Sequence, residues 1–400
     1  MQTEIANFTF YNPVKIIFGK DQIEQLPELI SKDKKILITY GGGSVIRFGT
    51  LDRVKEALSG YTFGEFGGIE ANPTFETCMR AVDVIKKEGY DYLLAVGGGS
   101  VIDGTKFIAA AAKFAGDPID IFASGVGKGL PIEDAIPLGT ILTLPATGSE
   151  MNETSVITIK EKQAKISFKH EKVYPVFSIL EPELTYTLPK RQLANGITDS
   201  FVHIIEQYLT YPVGGMVQDR FSEGLLQTLI EIGPEVVDED NHDYTLRANY
   251  MWTATMALNR ILSRGVPGDW AAHGLGHEIT VLNHTDHART LSAILPALMD
   301  IRRTEKHDKL IQYAERVWHI HEGSDEEKVD AAIEQTASFL RSIGMPVTLQ
   351  EIDVKKSDID FLVGQLEKHN NTAISERGDQ TLEVSRRIYE RALAKDYASN

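Results

Sequence analysis

Over roughly the first 190 residues, short unbroken apolar runs alternate with amphipathic stretches. Lys35 to Tyr40 (KILITY) predicts a buried strand that ends at Gly41-Gly42-Gly43-Ser44. Tyr92 to Val96 predicts a second, ending at Gly97-Gly98-Gly99-Ser100. Ile136 to Leu144 predicts a third, ending at the turn from Pro145 to Ser149, and Val176 to Leu180 a fourth, ending at Glu181-Pro182. Helical periodicity fills the gaps, as in Thr74 to Lys87 and Ser100 to Lys113. Strands alternating with helices argue for a mostly parallel sheet covered on both faces. Near the start, Ala6 to Phe10 and Val14 to Phe18 read as paired strands around Asn12-Pro13, suited to covering a sheet edge or crossing to a partner subunit. Beyond Leu188-Pro189 the strand runs fade. Helical patterns follow at Gln192 to Leu209, Met216 to Ile232, Asp243 to Leu262, Trp270 to Asn283, Ala288 to Ile301, Asp308 to Val317, Asp325 to Ile343 and Thr381 to Ala394. The pattern therefore predicts an α/β domain over residues 1–188 and an all-α domain over residues 189–400.

Composition narrows the function classes. The 400 residues are 42% hydrophobic and 24% charged, values of a soluble globular chain with real cores. A formal net charge of −16 argues against non-specific nucleic-acid binding and against attachment to anionic membranes. No apolar run approaches a membrane span, and Met1-Gln-Thr-Glu-Ile5 lacks the features of a signal peptide. The single cysteine, Cys78, permits no intrachain disulfide, which fits a reducing cytoplasm. It also rules out a multi-cysteine metal site, leaving histidines and carboxylates as candidate ligands.

The two GGGS loops are candidate phosphate cradles. A glycine turn between a strand and a helix N-terminus exposes backbone N–H groups where the helix dipole adds positive charge. Neither loop is G-x-G-x-x-G, since Ile46 and Ile102 stand where the third glycine belongs, and neither is a Walker A loop. A single such loop also occurs as a mere tight turn. Two in one sheet, with Asp103 and Lys106 one turn on, favour a nucleotide. The second loop suits the pyrophosphate and the first the adenosine ribose. Thr39 to Arg47 carries hydroxyls, free N–H groups and one arginine but no carboxylate to bind a ribose 2′-OH, which points to NADP(H) over NAD(H).

The second half carries the histidine signal. Asp199 and His203, four apart, share a face of a predicted helix, and His273, His277, His284 and His287 cluster downstream. A carboxylate with several imidazoles suits a divalent transition metal, most often Zn or Fe, although such clusters also arise as ordinary polar helix faces. The zinc-protease motif H-E-x-x-H is absent, because Glu278 follows His277 without the second histidine.

Taken together, the motifs from Tyr40 to Ser44, Gly97 to Lys106, Leu144 to Glu150, Asp199 to His203, His273 to His277 and Asp286-His287-Ala288 run in a recognisable order over nearly the whole chain. The chain resembles the metal-dependent group III, or iron-containing, alcohol dehydrogenases, in the branch of NADPH-dependent butanol dehydrogenases and broad-range aldehyde reductases. The resemblance implies a Rossmann-like dinucleotide-binding α/β domain and a helical domain, of the kind shared with dehydroquinate synthases, with the active site in the cleft between them. It implies ligation of one divalent metal (iron, zinc, nickel or manganese) by Asp199, His203, His273 and His287. His277 then lines the pocket and is a candidate proton relay, with His284 nearby. For the dinucleotide it implies Gly41, Gly42, Gly43 and Ser44 at the adenosine 2′ region, and Gly97, Gly98, Gly99 and Ser100 at the pyrophosphate. Asp103 falls near the nicotinamide as a candidate catalytic group, with Thr143, Thr147, Ser149 and Lys165 along the groove. The substrates implied are short- to medium-chain aldehydes and alcohols, and the assembly a homodimer. Glycerol- or propanediol-type polyol dehydrogenases and the non-redox dehydroquinate synthases are the alternatives within the same fold.

Overall fold

Six parallel strands form the central sheet, and their order in space differs from their order in the chain. The computed structural model describes residues 3–123 and 125–398. The strands are β1 (Lys15–Phe18), β2 (Lys35–Tyr40), β3 (Thr62–Phe66), β4 (Tyr92–Gly97), β5 (Leu138–Leu142) and, after an antiparallel hairpin of β6 (Thr154–Ile159) and β7 (Ala164–Lys169), β8 (Phe177–Leu180). Their order is β1-β8-β5-β4-β2-β3. Every pairing is parallel, with Ile36 opposite Tyr92, Leu93 opposite Leu138 and Gly139 opposite Phe177. The strand alternation sorts two cores. Leu37, Leu93, Ala95, Leu138 and Leu142 face one cluster with Phe107 and Phe122, while Ile36, Ile38, Leu94, Val96, Ile141 and Ile179 face the other. Two buried faces are what make these strands unbroken apolar runs in the sequence.

Helices α1 (Leu26–Leu29), α2 (Ser44–Arg47), α3 (Thr50–Ala57), α4 (Phe75–Glu88) and α5 (Gly99–Lys113) fall between the first five strands. Thr74 caps α4 by accepting from Thr77 N, and Gly89 ends it in the left-handed region at φ 75°. Cys78, on α4, is fully buried in the first of the two cores. The helical part contains α6 (Lys190–Tyr208), α7 (Met216–Val236), α8 (Tyr244–Ala257), α9 (Ala271–Asn283), α10 (His287–Ile301), α11 (His307–Arg316) and α12 (Asp325–Ser342). It then continues through α13 (Ile359–Lys368), a two-residue ladder of β9 (Ala373–Ile374) with β10 (Gln380–Thr381), and α14 (Leu382–Ala394). Among the described residues no helix is long and apolar enough to cross a membrane.

The described residues divide into two compact units. One holds Tyr11–Leu188 with Glu239–Thr255; the other holds the chain up to Phe10, Pro189–Asp238 and everything from Met256 onward. Two stretches thus lie on the other side of the single cut expected after residue 188. Residues 239–255 join the sheet unit through buried polar anchors. Arg247, fully buried, donates to Thr185 O at 3.1 Å, Tyr250 Oη donates to Pro145 O, and Thr255 Oγ1 donates to Glu150 Oε1 at 2.6 Å.

The expected pairing of N-terminal strands is corrected. Ala6 to Phe10 is not a strand: Ala6 N donates to Gly265 O, and β1 pairs in parallel with β8 instead of with its predecessor. Strand β3 escaped the apolar pattern because it is a half-exposed edge with Gly64 at its centre, where an added Cβ would sit 1.9 Å from Tyr90 Oη. The β6–β7 hairpin and α13 were likewise not anticipated. Leu94, fully buried at the middle of β4, tests the core directly. Leu94→Ala is expected to cost about 2–5 kcal/mol in denaturant unfolding monitored by circular dichroism; a loss below about 1 kcal/mol would mean that this face of the sheet repacks freely.

Candidate metal centre and dinucleotide-binding loops

Helix α6 builds the metal-like centre first. Asp199 and His203 lie one turn apart on its buried side, at 3% and 4% exposure. Helix α9 brings His273 in its first turn, and α10 begins with His287. The Nε2 atoms of His203, His273 and His287 each stand 3.7 Å from the same oxygen, Asp199 Oδ1. Asp199, His203 and His273 converge so that one donor atom of each lies within 4.8 Å of the others. The His203 and His273 rings stack at 4.7 Å, and His287 approaches His273 to 5.1 Å between ring centroids. Nε2 of His273 makes no hydrogen bond. One carboxylate oxygen and three imidazole nitrogens converging from three helices fit a divalent transition metal.

The supports of this cluster were mostly invisible beforehand. Glu206, 2% exposed and seven residues after Asp199 on α6, pairs through Oε2 with His273 Nδ1. Burial disfavours the charged form of His273, but Glu206 and Asp199 outweigh it and raise its pKa to about 9. Asp286, the residue before His287, accepts from Arg191 Nε at 2.7 Å and Asn195 Nδ2 at 2.9 Å, both on α6, which fixes the start of α10. Trp270, held at φ 64°, lays its ring 5.6 Å from His273 and 6.2 Å from His203. His277 sits one turn beyond His273, partly exposed, with its ring 5.2 Å from His287. His284 lies apart from these stacked rings, at the exposed end of α9 with φ 61°, where its N–H closes the helix on Thr280 O.

In the sheet unit, close packing explains the second glycine loop. A Cβ on Gly97 would lie 2.5 Å from Val101 Cγ2, on Gly98 2.9 Å from Leu144 Cβ, and on Gly99 2.2 Å from Thr147 Oγ1. Thr143 N donates to Gly97 O at 3.0 Å, so the β4 and β5 turns are fastened together at the start of α5. Ser100 Oγ accepts from Asn72 N at 3.4 Å. The first loop differs: Gly43 turns at φ 106°, and Cβ atoms on Gly42 or Gly43 would meet nothing within 4 Å. Gly41 is more confined, by Ile69 O at 3.1 Å, and Ser44 is exposed at the start of α2. The nearest strand supplies a carboxylate, Glu65 on β3, but Lys55 binds it at 2.9 Å and Tyr40 Oη donates to it at 3.3 Å.

Both oxygens of Asp103 are engaged by the chain. Ser149 Oγ donates to Oδ1 at 2.6 Å and Val156 N to Oδ2 at 3.0 Å. Burial pushes its pKa up to about 6, against the pull of Lys106, these two hydrogen bonds and Lys165. Lys106, fully buried, donates to Ser149 Oγ, Asn152 O, Asn152 Oδ1 and Thr154 O between 2.8 and 3.2 Å. It is the cation that folds the loop from Ser149 to Thr154, not a phosphate ligand. Lys165 lies on β7 opposite Thr158.

Two family profiles cover most of the chain: iron-containing alcohol dehydrogenase over residues 13–182, and the C-terminal domain of the Fe-containing alcohol dehydrogenase family over residues 193–380. The NADPH-dependent aldehyde reductase YqhD of Escherichia coli is 52% identical over 96% of this chain and 99% of its own length. A probable NADH-dependent butanol dehydrogenase of Bacillus subtilis is 42% identical over 90% of this chain and 92% of its own. The crystal structure of E. coli YqhD superposes with a TM-score of 0.95 at 51% identity, covering 98% of this chain and 100% of that one. NADH-dependent butanol dehydrogenase A of Thermotoga maritima superposes at 0.92 with 32% identity, over 98% and 100%.

Two outcomes follow from the loop geometry. Gly99→Ala is expected to displace Thr147, lowering Tm and weakening NADPH binding read by fluorescence titration. Adding Thr147→Gly should restore Tm, and no rescue would refute the contact. Asp103 has a folded-state pKa above its ordinary 3.8, so the native state holds that proton more tightly. Its contribution to stability is full below about pH 4 and is lost as pH rises through about 6. Asp103→Asn cannot ionise and should flatten this part of a Tm series from acid to neutral pH; an unchanged slope would show that Asp103 does not titrate there.

Proposed function

The chain belongs to the iron-containing alcohol dehydrogenase family, and on that premise we propose that it transfers hydride between NADP(H) and short- to medium-chain aldehydes and alcohols. It is a metal-dependent oxidoreductase, an alcohol dehydrogenase and aldehyde reductase. The observation that carries the reading is the set of three imidazole Nε2 atoms, each 3.7 Å from Asp199 Oδ1. We assign the metal to Asp199, His203, His273 and His287. When bound, the divalent ion supplies Lewis acidity toward the substrate oxygen, and the nicotinamide supplies the hydride.

The chain's own residues do the rest. Gly97 to Ser100 present the α5 N-terminus to the pyrophosphate, and Thr143, Thr147, Ser149 and Lys165 border it. Asp103 acts by holding Ser149 and Val156 in place. Gly41 to Ser44 receive the adenosine end. The open space around Gly42 and Gly43 and the neutralisation of Glu65 by Lys55 favour a 2′-phosphate. His277 donates the proton to the product oxygen as NADPH, aldehyde and a proton become NADP+ and alcohol. Its partial exposure lets it reload from water. Residues 1–188 carry the proposed dinucleotide-binding residues and residues 189–400 the proposed metal ligands. We further infer a cytoplasmic homodimer, to which exposed Ile5, Phe8 and Phe10 offer apolar surface.

The test is butyraldehyde-dependent oxidation of NADPH and of NADH, before and after chelation with metal add-back. Fast NADPH oxidation that vanishes with the metal and returns with it is the expected result. Metal-loaded protein inert with both coenzymes would move the function toward a polyol dehydrogenase or a non-redox member of the fold. Asp199→Ala and His203→Ala should lose bound metal, measured by atomic emission, with far-ultraviolet circular dichroism unchanged. His277→Ala should keep its metal and lose about 10²-fold or more in kcat; undiminished turnover would remove the proton-donor role. Gly42→Asp should shift the coenzyme preference toward NADH, and an unchanged preference would mean that the 2′-phosphate lies elsewhere.

A further inference from the structure

Glu206 is a carboxylate at 2% exposure with no role in the assignments above. It stands three residues after His203 and seven after Asp199, so α6 presents all three on one side. Its two oxygens do different things. Oε2 pairs with His273 Nδ1. Oε1 accepts from Ala272 N at 2.5 Å and from His273 N at 3.4 Å, two of the N–H groups that the first turn of α9 cannot satisfy internally. The backbone joins in, because Asp269 N donates to Glu206 O at 2.8 Å, while Asp269 Oδ1 takes the remaining Ala271 N at 3.2 Å. The start of α9 is therefore consumed by protein acceptors and is not left open to a substrate anion.

We propose that Glu206 is the positioning residue of the metal centre: it locks His273 in the tautomer and ring orientation that aim Nε2 at Asp199 Oδ1, and it pins the start of α9 to α6. The inference rests on the ligand reading given under Proposed function. With Nδ1 committed to Glu206, the nitrogen left for a metal is Nε2, the atom 3.7 Å from Asp199 Oδ1 that has no hydrogen bond. A carboxylate behind a ligating imidazole fixes its direction and raises its basicity, and loss of such a partner generally weakens metal affinity about 10–100-fold. One side chain thus couples two helices that supply three of the four proposed ligands.

The experiment uses full-length protein stripped of metal and titrated with Co2+, whose visible absorption reports ligand geometry. Wild type, Glu206→Gln, Glu206→Ala and His273→Ala are compared for Co2+ affinity, saturated spectrum and metal-free Tm. Glu206→Gln keeps size and one acceptor oxygen but cannot serve both donor groups. It is expected to bind about tenfold more weakly, and Glu206→Ala about a hundredfold, each with an altered Co2+ spectrum. Wild-type affinity and spectrum in both Glu206 variants, while His273→Ala is impaired, would overturn the positioning role and leave the ligand set standing. Wild-type behaviour in His273→Ala would overturn the ligand set and this inference with it. A fall in metal-free Tm with an unchanged saturated spectrum would make Glu206 a helix cap alone, which also overturns the proposal. Should Glu206→Ala fail to fold, the near-isosteric Glu206→Gln carries the test.

Discussion

A carboxylate taken out of water must be compensated where it lies, and Asp199 is the carboxylate around which the helical unit is arranged. Burying it without partners costs several kcal/mol or more. Compensation requires imidazoles from α9 and α10, which in turn need both helices to begin at one point beside α6. Arg191, Asn195, Asp199, His203 and Gln207 recur every fourth residue, a single polar ridge on a helix whose other sides are packed. Along that ridge, Arg191 and Asn195 hold Asp286 before His287, and Gln207 Nε2 reaches Ala257 O at 2.8 Å. Glu206, just off the ridge, holds His273. The ridge is thus a template on which the starts of two other helices are set.

The sheet unit solves a different problem by different means. Its loops bring backbone close to neighbouring side chains, so glycine is required where Val101, Leu144 and Thr147 already occupy the space a Cβ would take. A buried cation, Lys106, gathers oxygens from Ser149 to Thr154 and leaves Ser149 Oγ to bond Asp103. Rigidity comes from packing in one case and from a satisfied charge in the other. A charge so enclosed is tolerated because each of its protons has an acceptor.

Legibility in the sequence followed burial and spacing. Strands β2 and β4, buried on both faces, announced themselves as KILITY and YLLAV, and the Asp199–His203 pair stood out by its interval. Glu206 lies three residues after His203, a spacing that also keeps it on the same helix face, but a carboxylate at that interval on a helix is common and does not by itself name the imidazole it pairs with. The role of Lys106 was not legible, because all four of its partners lie in the segment from Ser149 to Thr154, whose path no periodicity encodes: Ser149 Oγ, Asn152 Oδ1 and the carbonyls of Asn152 and Thr154. The same holds for residues 239–255, whose membership in the sheet unit rests on hydrogen bonds to carbonyls of Thr185 and Pro145. The expected N-terminal hairpin failed because strand propensity does not name a partner: Lys15–Phe18 found β8, far along the chain, and Ala6 found Gly265.

Aldehydes are electrophiles, and an enzyme that handles them is exposed to its own substrate. Thiolates and neutral amines are the protein groups such compounds attack. The only thiol of this chain, Cys78, lies at 0% exposure in the core beneath the sheet, and burial pushes its pKa far above the ordinary thiol value, so it stays protonated. Lys106, the amine nearest Asp103 along α5, is equally enclosed, with its Nζ hydrogens committed to oxygen acceptors. The packing of the sheet unit therefore also gives the protein a measure of chemical resistance to the compounds it reduces.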